Sequence, residues 1–253
     1  MSTAVAALPG IRRVEHVMGM PIVVDVRDEG VGGDALEPMF DWLRLVDERF
    51  STYKHGSEIS RLGRRELTLE ESCEDVREVL APCDELRVET HGYFDARAGG
   101  SLDPSGLVKG WSVDRAAELL EEAGLRNFAI SAGGDIRLRG GAVPDPSWLV
   151  GIQHPLERDE IAAVVEGNDL AIATSGAYAR GDHVLDPHTG RPPRDVLSVT
   201  ITGPNLAIAD AHATAAFAMG TAGPAWTAQL RGYEAMTILA SEQVLTTASF
   251  PAV

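Results

Sequence analysis

Apolar residues follow two spacings along the chain, one near 3.6 residues and one near two. Over residues 34–50, Leu36, Met39, Phe40, Leu43, Val46 and Phe50 recur at helical spacing, and the polar stretch 51–56 ends the pattern. Residues 70–89 predict a second helix, with Val76, Val79, Leu80, Cys83 and Leu86 on one face and Pro82 as a kink site. A third helix is expected over 113–123, with Asp114 near its start and Gly124 just past its end, where helices commonly turn left-handed. Residues 210–219 predict an alanine-rich helix and 222–230 a last one. Residues 14–26 read as one strand followed by a turn at 27–30, and 128–131, 136–138, 148–153, 162–165, 170–174, 196–202 and 236–240 as shorter strands. Residues 92–110, dense in glycine and polar side chains, read as a loop leading to a helix start near Trp111, and 183–194 as a turn-rich, hairpin-like segment. Strands and helices interleave without strict alternation, which predicts an α+β fold of mixed, mainly antiparallel sheets packed with helices. No linker-like change of composition divides the chain, so residues 1–253 are expected to form one compact domain.

Composition and charge narrow the partners. The chain has 253 residues, of which 44% are apolar and 24% charged, ordinary values for a protein with a proper core. Its formal net charge of −16 repels phosphate backbones and anionic lipid, so neither nucleic acid nor a membrane surface is an expected partner. A small phosphate-bearing ligand needs a local basic group or a metal. No window approaches the ~20 apolar residues of a membrane span. Cys73 and Cys83 lack CxxC spacing, which speaks against a disulfide framework or a thiolate zinc site. Residues 1–16 carry no charged segment followed by an apolar one, as an export leader would, so the expected location is cytoplasmic.

Four segments could carry chemistry. Gly99, Gly100, Gly106 and Gly110 surround Lys109, but the Gly-x4-Gly-Lys-Ser/Thr register of a nucleotide loop is absent. Glycine-rich backbone before a helix still offers free N–H groups to an anion, and a solvated lysine on a turn is the plain alternative. Ala132-Gly133-Gly134-Asp135 follows a strand and suits a simple turn or a close approach to a ligand. Asp210 and Thr214 stand four apart on the alanine-rich helix, two oxygen donors on one face that suit Mg²⁺ or Ca²⁺, with His212 off that face. The same pair also suits a helix cap, with Asp210 at the N-terminus and Thr214 bonded to its own backbone. His183 opens the turn-rich HVLDPHTG stretch; His183 and His188 lack the third ligand or HExxH pattern of a zinc site. No GxSxG nucleophile elbow and no GxGxxG after the first strand is present.

Together and in order, these blocks carry a resemblance. HVMGMP, STYKHGSEISRL, GYFDA, LDPSGLVKGWSVDRA, ISAGGDIRLRG, AIATSGAYAR, HVLDPHTGRP and IADAHATAAFAMG span roughly residues 14–220. The chain resembles the ApbE-type FAD:protein FMN transferases. The resemblance implies an ApbE-like domain that moves the FMN part of FAD to a Ser or Thr hydroxyl of an acceptor flavoprotein and releases AMP, with Mg²⁺ required. It implies metal ligation by Asp210, Thr214 and the backbone carbonyl near Gly106. It implies FAD binding by Met18, Tyr53, Phe94 and Asp95 of a GYFDA strand, Asp103, Lys109 and Ser175, and a general base at His183. Only residues 97–102 separate the GYFDA and DPSG blocks, fewer than in longer members, and Arg97 stands where the family often has Thr. A trimmed acceptor region leaves two alternatives open: an FAD pyrophosphatase giving FMN and AMP, and a non-catalytic FAD-binding protein.

Overall fold

The computed structural model describes residues 9–177 and 184–253. The first strands are β1 (Ile11–Val17) and β2 (Met20–Val26), joined by Met18 and Gly19. Both turn residues are left-handed, φ 54° and 70°, the requirement of a two-residue hairpin. The single strand expected over 14–26 is therefore a hairpin, because an apolar run with one glycine hides a chain reversal. Helices α1 (Glu37–Phe50), α2 (Glu58–Gly63), α3 (Glu74–Glu89) and α4 (Ser105–Glu122) follow. Then come β3 (Phe128–Ala132), β4 (Asp135–Arg139), β5 (Trp148–Gln153), β6 (Ile161–Gly167), β7 (Ala171–Gly176) and β8 (Val196–Gly203). Helices α5 (Leu206–Ala218) and α6 (Gly223–Thr227) precede β9 (Glu234–Leu239) and β10 (Val244–Thr246).

An eight-stranded sheet runs β1-β2-β3-β4-β7-β8-β9-β10, every neighbour antiparallel, and β5 and β6 form a separate hairpin. The fold is α+β with antiparallel sheets, as expected. Side-chain alternation divides the sheet. Val24, Ile130, Ala173 and Ile201 join the helices α1, α4 and α5 in one core, whereas Leu138, Ile172, Met236 and Ile238 pack with Trp148, Val150, Ile152 and Val165 of the β5–β6 hairpin. A third cluster joins the end of α1, α3 and the start of α4 through Val46, Val79, Cys83, Phe94 and Leu107.

Two helices start earlier than their sequence pattern suggests. Helix α4 begins at Ser105 rather than near Trp111, so Gly106, Lys109 and Gly110 are helical, not parts of a glycine loop. A Cβ on Gly110 would lie 2.4 Å from the Leu206 carbonyl oxygen, so this glycine lets α4 and α5 cross closely. Helix α5 begins at Leu206, and its cap is Asn205, whose side chain accepts the Ile208 N–H at 2.9 Å. Asp210 thus sits one turn inside the helix and does not cap it. Almost every side of α5 is buried, so alanines rather than an amphipathic stripe fill it. Phe94 and Asp95 lie in a loop, not in a strand. Cys73 precedes α3 and Cys83 lies inside it, both free, and among the described residues no helix is long and apolar enough to cross a membrane.

Candidate active site

The first turn of α4, the β3–β4 turn, the end of β7, the middle of α5 and the loops 93–103 and 184–190 surround a cavity of about 330 Å³. Phe94, Asp95, Asp103, Gly106, Lys109, Ser175, Asp210 and Thr214 all line it. These residues span more than a hundred positions of sequence, and the sheet with α4 and α5 brings them together.

At the innermost wall, Lys109 and Asp210 line the cavity and join Asp135 behind them in an acid–lysine–acid cluster. Lys109 Nζ contacts Asp135 Oδ2 and lies 3.2 Å from Asp210 Oδ1. Asp135 is fully buried, and its Oδ1 accepts the Thr174 N–H at 3.1 Å. Burial alone would lower the Lys109 pKa, but the two carboxylates outweigh it and hold it above the ordinary lysine value. Burial pushes Asp210 up to about 7; Lys109 opposes that shift and the Asp135 charge adds to it. Asp210 Oδ2 is buried and has no hydrogen-bond partner. An orphaned carboxylate oxygen at such a place carries a desolvation cost that a bound cation would offset.

Around that oxygen the donors are all hard. Thr214 Oγ1 and Ser175 Oγ lie 3.4 Å apart, and Gly106 packs against the same threonine, where a Cβ would be 3.4 Å from its hydroxyl oxygen. Among the described residues, no three His, Cys, Asp or Glu side chains converge on a metal position. The set is one carboxylate plus hydroxyl oxygens beside a helix start, a chemistry that fits Mg²⁺ rather than zinc. His212 points elsewhere, with Nε2 3.2 Å from Glu89 and its ring between Trp226 and Tyr233.

The loops at the rim are held by carboxylates that cap their own turns. Asp95 accepts the Arg97 N–H at 2.8 Å and Arg87 Nε at 3.1 Å. Asp103 Oδ1 accepts the Ser105 N–H at 3.0 Å, which starts α4 inside the cavity. Asp186 accepts the His188 N–H and the Thr189 hydroxyl, each at 2.9 Å, and the His188 ring packs on Tyr93 with centroids 4.6 Å apart.

Two expected residues are not brought into this cavity, and a third falls outside the described residues. Tyr53 is 98% exposed on the turn after α1. Met18 occupies the β1–β2 turn, lines a neighbouring depression with Arg44 and Lys54, and touches Ser112. His183 lies outside the described residues; Val184, Leu185 and Asp186 after it do line the cavity. One residue escaped the sequence reading. Asp135 follows Gly133 and Gly134, which make the left-handed two-residue turn expected there, with φ 58° and 102°. Its signal was the alternation of β4: Asp135 and Arg137 share a face with core residues, and a buried carboxylate demands a partner.

Fold and cavity together define an α+β protein with an acid–lysine–acid cluster buried at the back of a polar cleft. The ApbE family model matches residues 96–237, more than half of the chain. The chain belongs to the ApbE family. Its curated relatives include the FAD:protein FMN transferases of Vibrio cholerae, 36% identical over 129 residues, and Salmonella typhimurium, 35% over 130 residues. Each of these matches covers 47% of this chain and only 39% and 37% of the relative, so the chain spans about two-fifths of the length of those proteins. Among solved structures, the flavin transferase ApbE of Vibrio cholerae superposes with a TM-score of 0.86 at 24% identity, covering 96% of this chain and 99% of that one. The ApbE protein of Thermotoga maritima gives 0.84 at 20% identity, covering 95% and 97%. These two likenesses establish the fold.

Proposed function

We propose that this protein is an FAD:protein FMN transferase: with Mg²⁺, it moves the FMN part of FAD to a Ser or Thr hydroxyl of an acceptor protein and releases AMP. The observation that carries the reading is the unpartnered, buried Asp210 oxygen beside Thr214 and Ser175 in a cavity of ligand size. Membership of the ApbE family and the names of the curated relatives support it. In this reading residues 1–253 act as one flavin-transferase domain. Two free cysteines suit a reducing, cytoplasmic setting.

Asp210, Thr214 and the backbone at Gly106 would hold Mg²⁺. What the bound ion supplies is charge neutralisation at the pyrophosphate of FAD, which an acidic protein needs. Lys109 has three N–H donors; two go to Asp135 and Asp210, and the third is left for a phosphate oxygen. At the start of α4 the Ser105 N–H is taken by Asp103 and those of Leu107 and Val108 by the Pro104 carbonyl, which leaves the Gly106 N–H for the same anion. Phe94 offers an apolar wall to the ligand's rings. His183 takes the proton of the acceptor hydroxyl as that oxygen bonds to the FMN phosphorus; the bridging P–O bond breaks and AMP leaves with the bridging oxygen. Met18 and Tyr53, both outside the cavity lining, serve in this reading as an outer contact for the far end of FAD.

The test uses purified protein, FAD and a Ser/Thr-containing acceptor peptide, with and without Mg²⁺. The expected result is AMP together with a peptide heavier by FMN, both dependent on Mg²⁺. AMP and free FMN without an adduct would replace the transferase by a pyrophosphatase. Bound, intact FAD under every condition would leave a binding protein.

A further inference from the structure

We propose that Asp135 is a positioning residue: it draws Lys109 away from Asp210 and so keeps one Asp210 oxygen open to a divalent cation. The inference rests on the cation site of the proposed function and adds to it a residue outside that site.

Asp135 lies just beyond the cavity wall. Lys109, Thr174, Gly133 and Asp210 line the cavity, whereas Asp135 does not. It is fully buried and both its oxygens are engaged, Oδ1 by the Thr174 N–H and Oδ2 by Lys109. Each of its oxygens already has a partner inside the protein, and the residue is not part of the cavity lining. Its backbone cannot follow a moving lysine. Asp135 pairs with Ala132 across a two-residue turn, and Thr174 is the neighbour of Ser175 on β7. The carboxylate is thus a fixed anchor on the sheet, and Lys109 reaches across to it from α4.

The consequence appears at Asp210. Lys109 pairs with Asp135 and also, at 3.2 Å, with a single Asp210 oxygen, Oδ1. The other, Oδ2, is buried and unpartnered. A buried ammonium with one carboxylate partner would close on it and satisfy its own desolvation there. With a second, better-anchored carboxylate behind it, the lysine is shared, and Asp210 retains an oxygen. The cluster thereby holds two conditions at once: a buried lysine with full charge compensation, and a carboxylate with one oxygen in reserve.

The test is Mn²⁺ titration by calorimetry on the full chain without FAD, so that metal binding is read apart from transfer. Wild type should bind one Mn²⁺. Asp135→Asn should bind it about 10- to 100-fold more weakly, the usual cost of removing a group that orients a ligand. The double variant Asp135→Asn/Lys109→Met removes both the anchor and the competing cation and should return to within about three-fold of wild type. Unchanged affinity in Asp135→Asn overturns the proposal. So does a double variant as weak as the single one, because Asp135 would then act on the cation directly. If Asp135→Asn fails to melt cooperatively, the double variant is read in its place: Asp210 is then the one charged group of the cluster left, and Mn²⁺ binding more than about three-fold weaker than wild type overturns the proposal. A wild type that binds no Mn²⁺ removes this inference and the metal part of the proposed function together. Normal Mn²⁺ binding without AMP release removes the transferase and leaves Asp135 its role.

Discussion

Two ion pairs link the same three elements and serve different ends. Near the start of α4, Lys109 meets Asp135 of β4 and Asp210 of α5 at the cavity wall. Further along the same helix, Asp114 faces Arg137 of β4 with 3.3 Å between Oδ1 and Nε, and its Oδ2 accepts the Leu206 and Ala207 N–H groups at 2.8 and 3.0 Å. Asp135 and Arg137 are two residues apart on one face of one strand. In the second pair one carboxylate oxygen is taken by the N-terminus of α5, and the other faces the guanidinium in an ion pair without a hydrogen bond, so Asp114 Oδ1 and Arg137 Nε and Nη1 are unpartnered too. Burial raises the Asp114 pKa and lowers that of Arg137, the cost of enclosing both. In the first pair Asp210 Oδ2 is left over, and Asp210 lines a cavity of about 330 Å³. The difference is that the loose atoms of the second pair are an acceptor and donors of opposite charge facing each other away from the cavity, whereas the loose oxygen of the first belongs to a residue that lines it. A closed ion pair fixes how α4, α5 and the sheet dock; an ion cluster with one acceptor in surplus is a place to bind something.

Substitutions separate the two roles, and the largest effect on stability is expected at the closed pair. Asp114→Ala leaves Arg137 buried without its partner and two α5 N–H groups unmet, for a loss of about 3 kcal/mol in chemical unfolding. Gly110→Ala, between the two pairs, forces a Cβ toward the Leu206 carbonyl and should cost about 2 kcal/mol by the same measurement. A stability within error of wild type would mean that α4 and α5 need not cross so closely. Thr214→Val keeps shape and removes one hydroxyl of the open site; AMP release should fall about ten-fold, roughly 1.4 kcal/mol, with an unchanged melting curve. A lowered melting temperature with full turnover would place Thr214 with the structural pair.

The smallest effect lies far from both pairs. Burial raises the Asp28 pKa, but the Arg126 and Asn127 N–H groups and the Asn127 side-chain amide outweigh it and hold the carboxyl below its usual 3.8. Stability from this group is therefore present above the ordinary carboxylate range and lost as pH falls through the folded-state value. Asp28→Ala should cost about 1 kcal/mol at neutral pH. The gap to wild type should close in unfolding curves taken progressively below pH 4; a gap that is constant with pH would contradict the assignment.

Much of this was legible in the chain. Strong periodicity marked α1, α3 and β5, because each buries one regular face, whereas β8 is buried on both. The Asp210–Thr214 spacing put two oxygen donors on one helix face, and the ordered blocks resembling the ApbE family pointed to Phe94, Asp103, Gly106, Lys109 and Ser175 as neighbours in space. What stayed hidden has physical reasons. The reversal at Met18 depends on two left-handed residues inside an apolar run. Helix α5 is buried on nearly every side, so no polar stripe marks its start, and α4 begins among glycines chosen for close packing rather than for flexibility. Asp135 reads as the end of a Gly-Gly turn until the sheet places it behind Lys109.

The surplus oxygen of Asp210 is the centre of the account, and one titration addresses it. AMP release from FAD would be followed against Mg²⁺ concentration for wild type and Asp210→Asn, both shown to be folded by their melting curves. Wild type should rise to saturation with Mg²⁺, and Asp210→Asn should stay at background over the same range, lower by about a thousand-fold at saturation. An Asp210→Asn curve that follows the wild-type dependence would contradict the assignment of the open site.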